Sequence, residues 1–160
     1  MNSGRLAGVV AGCLCVFASA HGETSADLKP GLWSVTMSAA SRPNLLATHT
    51  MCIDRATERN LITHTSETPL GGGCSKYERH FTSTGATIDT VCTALGGTST
   101  THRVVTYAGD STYTLTMHAR RVQSDGSSFE DTLSEKGTWQ GPCPSSMKPG
   151  DTTAMTVAPK

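Results

Sequence analysis

The stretch TSTTHRVVTYAGDSTYTLTMHARR, residues 98–121, decides the fold, because it has the pattern of a β-hairpin. Tyr113, Leu115 and Met117 alternate with polar residues, and successive side chains of a strand point to opposite faces. Val104 lies in a similar run before them. The pair Gly109-Asp110 between the two runs suits a tight turn, since glycine adopts positive φ without steric cost. The stretch therefore predicts two antiparallel strands with one buried face.

The length of the turn sets which residues of this hairpin face each other. A two-residue loop at Gly109-Asp110 places Val104 opposite Leu115. The same register puts His102 and His118 on opposite faces of the hairpin. On this basis the two histidines are expected to lie apart.

Similar alternating runs occur along much of the chain and predict five more strands, at residues 31–38, 46–53, 74–81, 86–93 and 129–140. Threonine, a good strand former, accounts for 25 of the residues from 21 to 160. Asp54 can cap a helix N-terminus, so one short helix is predicted at residues 54–62. The predicted class is mainly β: an antiparallel meander of about seven strands, forming a strongly curved sheet or small barrel, with the helix after the second strand.

The apolar positions of these strands predict a single core. We assign to it Trp33, Val35, Met37, Val104, Tyr113, Leu115, Met117 and Trp139. Residues 28–144 form one disulfide-linked domain in this interpretation. Residues 145–160 carry little apolar mass between their prolines and are predicted to be a disordered tail.

Residues 1–20 have the pattern of a secretory signal peptide. Arg5 provides a positive start, residues 6–17 are apolar or small, and Ala18-Ser19-Ala20 is a small-x-small cleavage site. The apolar run is too short to span a membrane as a helix. An alternative is a lipoprotein anchored at Cys13, because Val10-Ala11-Gly12-Cys13 resembles a lipoprotein cleavage box. Either interpretation places the chain outside the cytoplasm.

Four cysteines remain after the signal peptide, namely Cys52, Cys74, Cys92 and Cys143. An even number in an exported domain predicts two disulfides, with three possible connectivities. The favoured pairing is Cys52–Cys74, which closes the segment that contains the predicted helix, together with Cys92–Cys143, which links the end of the last strand to the fourth of the predicted strands. The rival is Cys74–Cys92 across their own hairpin.

The charge balance argues against two classes of partner. Of the thirteen basic residues only Arg5 lies in the signal peptide, so twelve basic residues face thirteen acidic ones. A nearly neutral chain without a basic cluster is unlike nucleic-acid-binding proteins. It is also unlike proteins that dock electrostatically on acidic membranes.

Short motifs along the chain resemble the domain-of-unknown-function 3617 family, small exported proteins of Gram-negative bacteria. The motifs are Lys29-Pro30-Gly31-Leu32-Trp33-Ser34-Val35-Thr36, Thr50-Met51-Cys52, Gly73-Cys74, Val91-Cys92, the hairpin Tyr107–Tyr113, and Gly141-Pro142-Cys143-Pro144. The resemblance covers about residues 28–144. The chain departs from it where Glu130, Asp131, Glu135 and Lys136 enter the last strand. The resemblance implies a periplasmic location and a β-rich fold, and it supplies no catalytic residues.

No catalytic, cofactor-binding or metal-binding residues are predicted. The chain has neither Gly-x-Ser-x-Gly nor His-Glu-x-x-His, which mark common hydrolases. A zinc or copper site would need histidines that converge, and polar-face histidines are the simpler reading of this pattern.

The expected function is therefore that of a non-catalytic binding or interaction module of the cell envelope, whose partner is an unidentified envelope protein. A second hypothesis is a small barrel that carries an apolar ligand, since Gly31-Leu32-Trp33 fits the Gly-x-Trp opening of lipocalins. A hydrolase or metal-binding protein is the third.

Overall fold

The computed structural model describes residues 28–58, 73–94 and 96–160. These residues form one eight-stranded antiparallel sheet, which confirms the predicted mainly β class. The strands are β1 (Gly31–Ala39), β2 (Arg42–Ile53), β3 (Cys74–Thr82), β4 (Gly85–Ala94), β5 (Gly97–Tyr107), β6 (Thr112–Val122), β7 (Ser128–Gly141) and β8 (Thr156–Pro159).

Several predictions fall on residues outside these ranges. They are the signal peptide at residues 1–20, the alternative lipid anchor at Cys13, and residues 59–62 of the predicted helix. Within the described ranges, no helix is long and apolar enough to cross a membrane.

The sheet is open, and its strand order is β3-β4-β5-β6-β7-β1-β2-β8. Closing the seven predicted strands into a barrel would require β2 to pair with β3. The chain's C-terminal segment occupies that edge of β2 instead, because β8 pairs with Leu45–Thr48. The predicted small barrel, and the barrel-like curvature that came with it, are therefore not supported.

The C-terminal residues pair with β2, although we predicted a disordered tail at residues 145–160. Cys52 N–H donates to the Asp151 carbonyl at 2.9 Å, and Thr153 N–H donates to the Thr50 carbonyl at 2.9 Å. Lys160 N–H donates to the Asn44 carbonyl at 2.9 Å. Backbone hydrogen bonds to a free strand edge hold this segment, so its low apolar content was a poor guide to its order.

The predicted short helix at residues 54–62 is not supported by the described residues, of which 55–57 form a turn. Asp54 Oδ1 accepts hydrogen bonds from the N–H groups of Ala56 and Thr57, as a capping residue does. Glu58 N–H donates to the Asp54 carbonyl, which closes one turn. Residues 54–58 therefore form a capped turn between β2 and the residues that follow.

The hairpin β5–β6 has a longer loop than predicted. Tyr107 pairs with Tyr113 and Val105 pairs with Leu115, so the connection runs through Ala108–Ser111. Relative to a two-residue loop, this shifts the register by one residue, and every side chain of β5 changes face relative to β6. Val104 is consequently 39% exposed, and its assignment to the core is wrong. Val105, 2% exposed, takes the core position.

The apolar core covers one face of the sheet, which we call the inner face. Trp33, Val35, Tyr113 and Leu115 are buried there, and Met37, Met117 and Trp139 are partly buried against them. The ring centroids of Trp33 and Tyr113 are 5.7 Å apart. The opposite, outer face carries mainly threonine, serine, histidine and charged residues.

A carboxylate is buried beside this aromatic pair. The Tyr113 hydroxyl donates to Glu135 Oε1 at 2.5 Å, and Glu135 is buried with it. Burial, followed by the neighbouring Glu135 charge, raises the pKa of Tyr113 far above its usual value. The hydroxyl therefore stays neutral and keeps its hydrogen bond throughout the ordinary pH range.

This raised pKa predicts a loss of stability in alkali. The contribution of the neutral Tyr113 hydroxyl is fully present below the unfolded-state pKa of about 10 and is lost as the pH rises above it. We expect the free energy of unfolding of the unmodified protein to fall between about pH 9 and 11, and that of Tyr113→Phe to fall less. Urea unfolding at both pH values measures this. Equal losses in the two proteins would contradict it.

Two disulfides are present, as predicted, but the favoured connectivity is wrong. The pairs are Cys52–Cys143 and Cys74–Cys92. Cys74 and Cys92 face each other on β3 and β4, which is the rival pairing. Cys52 and Gly141 both pair with Leu32 of β1, one on each side, and this brings Cys143 near Cys52. Disulfides of this kind are typical of oxidising compartments.

Candidate functional site

An open apolar groove lies on the inner face at the end of the sheet farthest from Trp33. It has a volume of about 260 Å³ and is built from β1, β2, β7 and the C-terminal segment. Its walls are Met37, Ser38, Ala39, Arg42, Leu45, Ala47, Asp131, Leu133, Met155 and Val157. We call it the β8 groove, since β8 and the residue before it complete one wall.

The apolar side chains of the β8 groove are unusually exposed. Leu45 is 38% exposed, Met155 is 53% exposed and Val157 is 59% exposed. Single exposed apolar residues need no explanation, but neighbouring ones in a concave site mark an interaction surface. Val104 on the outer face, by contrast, lies among polar side chains.

A charged rim borders the β8 groove. Ser41 donates to the Asp131 carboxylate from its backbone N–H at 3.0 Å and from its hydroxyl at 2.6 Å. These bonds, with the nearby positive charge of Arg42, lower the pKa of Asp131. The groove therefore has an apolar floor and a rim where a fixed carboxylate and a guanidinium lie close together, an arrangement typical of binding surfaces.

A second feature is a row of polar side chains across the outer face. The strand register places Asp89, His102, His118 and Thr132 directly beside one another on β4, β5, β6 and β7. The prediction that His102 and His118 lie on opposite faces is wrong, for the same one-residue shift that exposes Val104. We call these four residues the histidine row.

Hydrogen bonds hold both imidazole rings by the same nitrogen. His102 Nδ1–H donates to Asp89 Oδ1 at 2.8 Å, and His118 Nδ1 is hydrogen-bonded to Thr132 Oγ1 at 3.0 Å. The bond from His102 is the main reason that the pKa of Asp89 is lowered. Both histidines line a surface groove of about 440 Å³, next to an ion pair in which Arg120 Nε lies 3.0 Å from Glu130 Oε1.

The residues given a role from the sequence do not converge on either feature. Cys52, Cys74, Cys92 and Cys143 are in disulfides, and Trp33, Val35, Tyr113 and Leu115 are in the core. Met37 alone, of the core assignments, also lines the β8 groove. Among the described residues, no three of His, Cys, Asp and Glu are grouped to hold a metal ion. The absence of catalytic, metal and cofactor sites stays a prediction.

The sequence interpretation missed the wall of the β8 groove that the C-terminal segment provides. Met155 and Val157 flank Thr156, and apolar side chains two residues apart point to the same face of a strand. That alternation was the available signal, but it is shorter than the runs on which the other strand predictions rest.

Comparisons with known proteins give a family and no closer relative. The family described as protein of unknown function DUF3617 matches residues 28–143. No curated protein and no solved structure matches the chain. The matched residues run from just before β1 to the second cysteine of the Cys52–Cys143 disulfide, which includes seven of the eight strands. The chain therefore belongs to the domain-of-unknown-function 3617 family.

Proposed function

We propose that this protein is a non-catalytic binding module of the bacterial periplasm, and that its β8 groove holds an apolar segment of an envelope protein. The observation that carries the proposal is the exposure of Leu45, Met155 and Val157 together in one concave site. Export is supported by the signal-peptide pattern of residues 1–20 and by the two disulfides.

The shape of the groove favours a polypeptide over a small molecule. Sites for small molecules are usually enclosed and measure about 300–1,000 Å³. The β8 groove is open and smaller, at about 260 Å³. Among the described strands, its wall strand β8 pairs only with β2 and lies at the end of the sheet. An extended segment can pair with such an edge and insert alternate apolar side chains into the groove beside it.

A charge placed in the groove should abolish binding. We expect Leu45→Asp to remove the partner that the tagged protein recovers from gentle periplasmic extracts, because a buried unpaired carboxylate opposes docking. Val104→Asp is the matched control, since Val104 is exposed to a nearly equal extent on the outer face. Recovery of the same partner by both variants would contradict the proposal.

The alternative, a carrier of a small apolar molecule, makes a different prediction. Native mass spectrometry of the protein released gently from the periplasm would then show an added mass of small-molecule size that leaves on collisional activation. The polypeptide proposal predicts the bare chain or a complex with another protein. A bound small molecule lost in Leu45→Asp and kept in Val104→Asp would favour the alternative.

A further inference from the structure

We propose that His102 and His118 together bind a divalent transition-metal ion through their Nε2 atoms. The two residues are direct cross-strand partners on β5 and β6. Both are exposed, and both line the same surface groove. This inference is independent of the β8 groove, which lies on the other face of the sheet.

The spacing of the pair suits one metal ion. Cβ atoms of directly opposed residues in an antiparallel sheet are about 4.5–5.5 Å apart. Two nitrogens on one tetrahedral zinc ion, each with a bond of about 2.0–2.1 Å, lie about 3.3 Å from each other. Rotation of the two side chains toward each other would close this difference.

The hydrogen bonds of the row prepare the rings for coordination. When His102 Nδ1–H donates to Asp89, the neutral ring presents its lone pair at Nε2. The same tautomer of His118 forms when its Nδ1–H donates to Thr132 Oγ1. A metal-bound histidine commonly donates its other N–H to a carboxylate or another acceptor, which fixes the ring and makes it a better ligand.

The surroundings of the pair are compatible with a cation. Asp89 carries a negative charge next to His102. The positive charge of Arg120, two residues from His118 along β6, is compensated by Glu130 at 3.0 Å. Imidazole nitrogens suit zinc, copper and nickel, and two protein ligands leave the remaining positions for water or for a group from a partner.

The test is a titration of the purified, disulfide-bonded protein with zinc chloride, followed by long-range ¹H–¹⁵N NMR of the imidazoles. We expect the Nε2 signals of His102 and His118 to shift together and to saturate at one zinc ion per chain. Signals that stay unchanged, or that move at different zinc concentrations, would overturn the proposal. Because this readout uses the unmodified protein, it does not depend on a variant that folds.

Variants distinguish a site shared by His102 and His118 from zinc binding by single surface histidines. In calorimetric titrations with zinc, His102→Ala and His118→Ala should each lose binding over the range in which the unmodified protein saturates. His80→Ala is the control, since His80 is an exposed histidine on β3 that lies outside the groove lined by His102 and His118. Because its charge acts on Asp89, this variant should change the affinity, but far less than either of the other two. Equal effects of all three variants would contradict a shared site.

Asp89 is a positioning residue in this proposal. Asp89→Asn should weaken zinc binding by about 10- to 100-fold, the usual effect of removing a carboxylate behind a metal-bound histidine. The thermal unfolding of metal-free Asp89→Asn should differ little from that of the unmodified protein, because the side chains of Asp89 and His102 are both partly exposed. Unchanged zinc affinity in this variant would remove Asp89 from the site.

Discussion

Replacing Cys52 and Cys143 together by serine is expected to lower the free energy of unfolding by about 4–5 kcal/mol. Their disulfide joins residues 91 positions apart and links the end of β2 to the chain just after β7. These two points flank the start of β1, so the bond restrains three neighbouring strands. In the unfolded chain, a crosslink across so long a loop removes much conformational entropy.

The second disulfide supplies the matched control for this prediction. Cys74 and Cys92 are 18 positions apart and lie in one hairpin. The same loop-entropy relation gives about 3 kcal/mol for their double serine variant, roughly 1.4 kcal/mol less. Urea unfolding of both double variants, followed by circular dichroism, measures the two losses. A larger loss from the Cys74 and Cys92 variant would contradict this account of what holds the domain together.

Replacing Gly137 by alanine should lower the free energy of unfolding by about 2–3 kcal/mol. The added Cβ would overlap Cε1 of the Tyr113 ring, which packs directly over this glycine. The ring would have to move, and it contacts Trp33 on one side and donates to Glu135 at its hydroxyl. A single methyl group thus disturbs the centre of the core and its buried polar pair.

Gly73→Ala is the control for the Gly137 variant. A Cβ at Gly73 would have no atom of the described residues within 4 Å, so its effect should stay within about 0.5 kcal/mol. Chemical denaturation of the two variants and the unmodified protein gives both values. If Gly137→Ala unfolds at the same denaturant concentration as Gly73→Ala, then the Tyr113 ring does not pack as described.

The alternation of apolar and polar residues was enough to predict most strands. It placed Trp33, Val35, Tyr113 and Leu115 on one face, and the structure buries all four. Such a pattern is local, and it depends only on the two-residue period of a strand. The family could also be recognised from the sequence, because the resemblance rests on short motifs, several of them around the cysteines.

Features that depend on which distant strands pair could not be predicted from the alternation of apolar and polar residues. A change in the length of one loop moved Val104 to the surface and brought His102 beside His118. The open edge of the sheet depends on whether β2 pairs with β3 or with the C-terminal segment. Both outcomes are decided by hydrogen bonds between strands, which residue periodicity does not specify.

The two candidate sites follow from these same two events. Pairing of β8 with β2 creates the β8 groove and brings Val157 beside Ala47 on its wall. The longer loop at Ala108–Ser111 creates the histidine row. A sequence reading that assigns strands correctly can therefore still miss the surfaces on which binding depends.

The most direct test of the proposed function is site-specific photocrosslinking in living cells. A photoreactive amino acid in place of Val157 lies in the β8 groove, and one in place of Val104 lies on the outer face. We predict a discrete crosslinked protein from position 157 that is absent from position 104 and is lost when Leu45→Asp is added. Identical crosslinking from the two positions, or none from position 157, would contradict the claim that this groove binds an envelope partner.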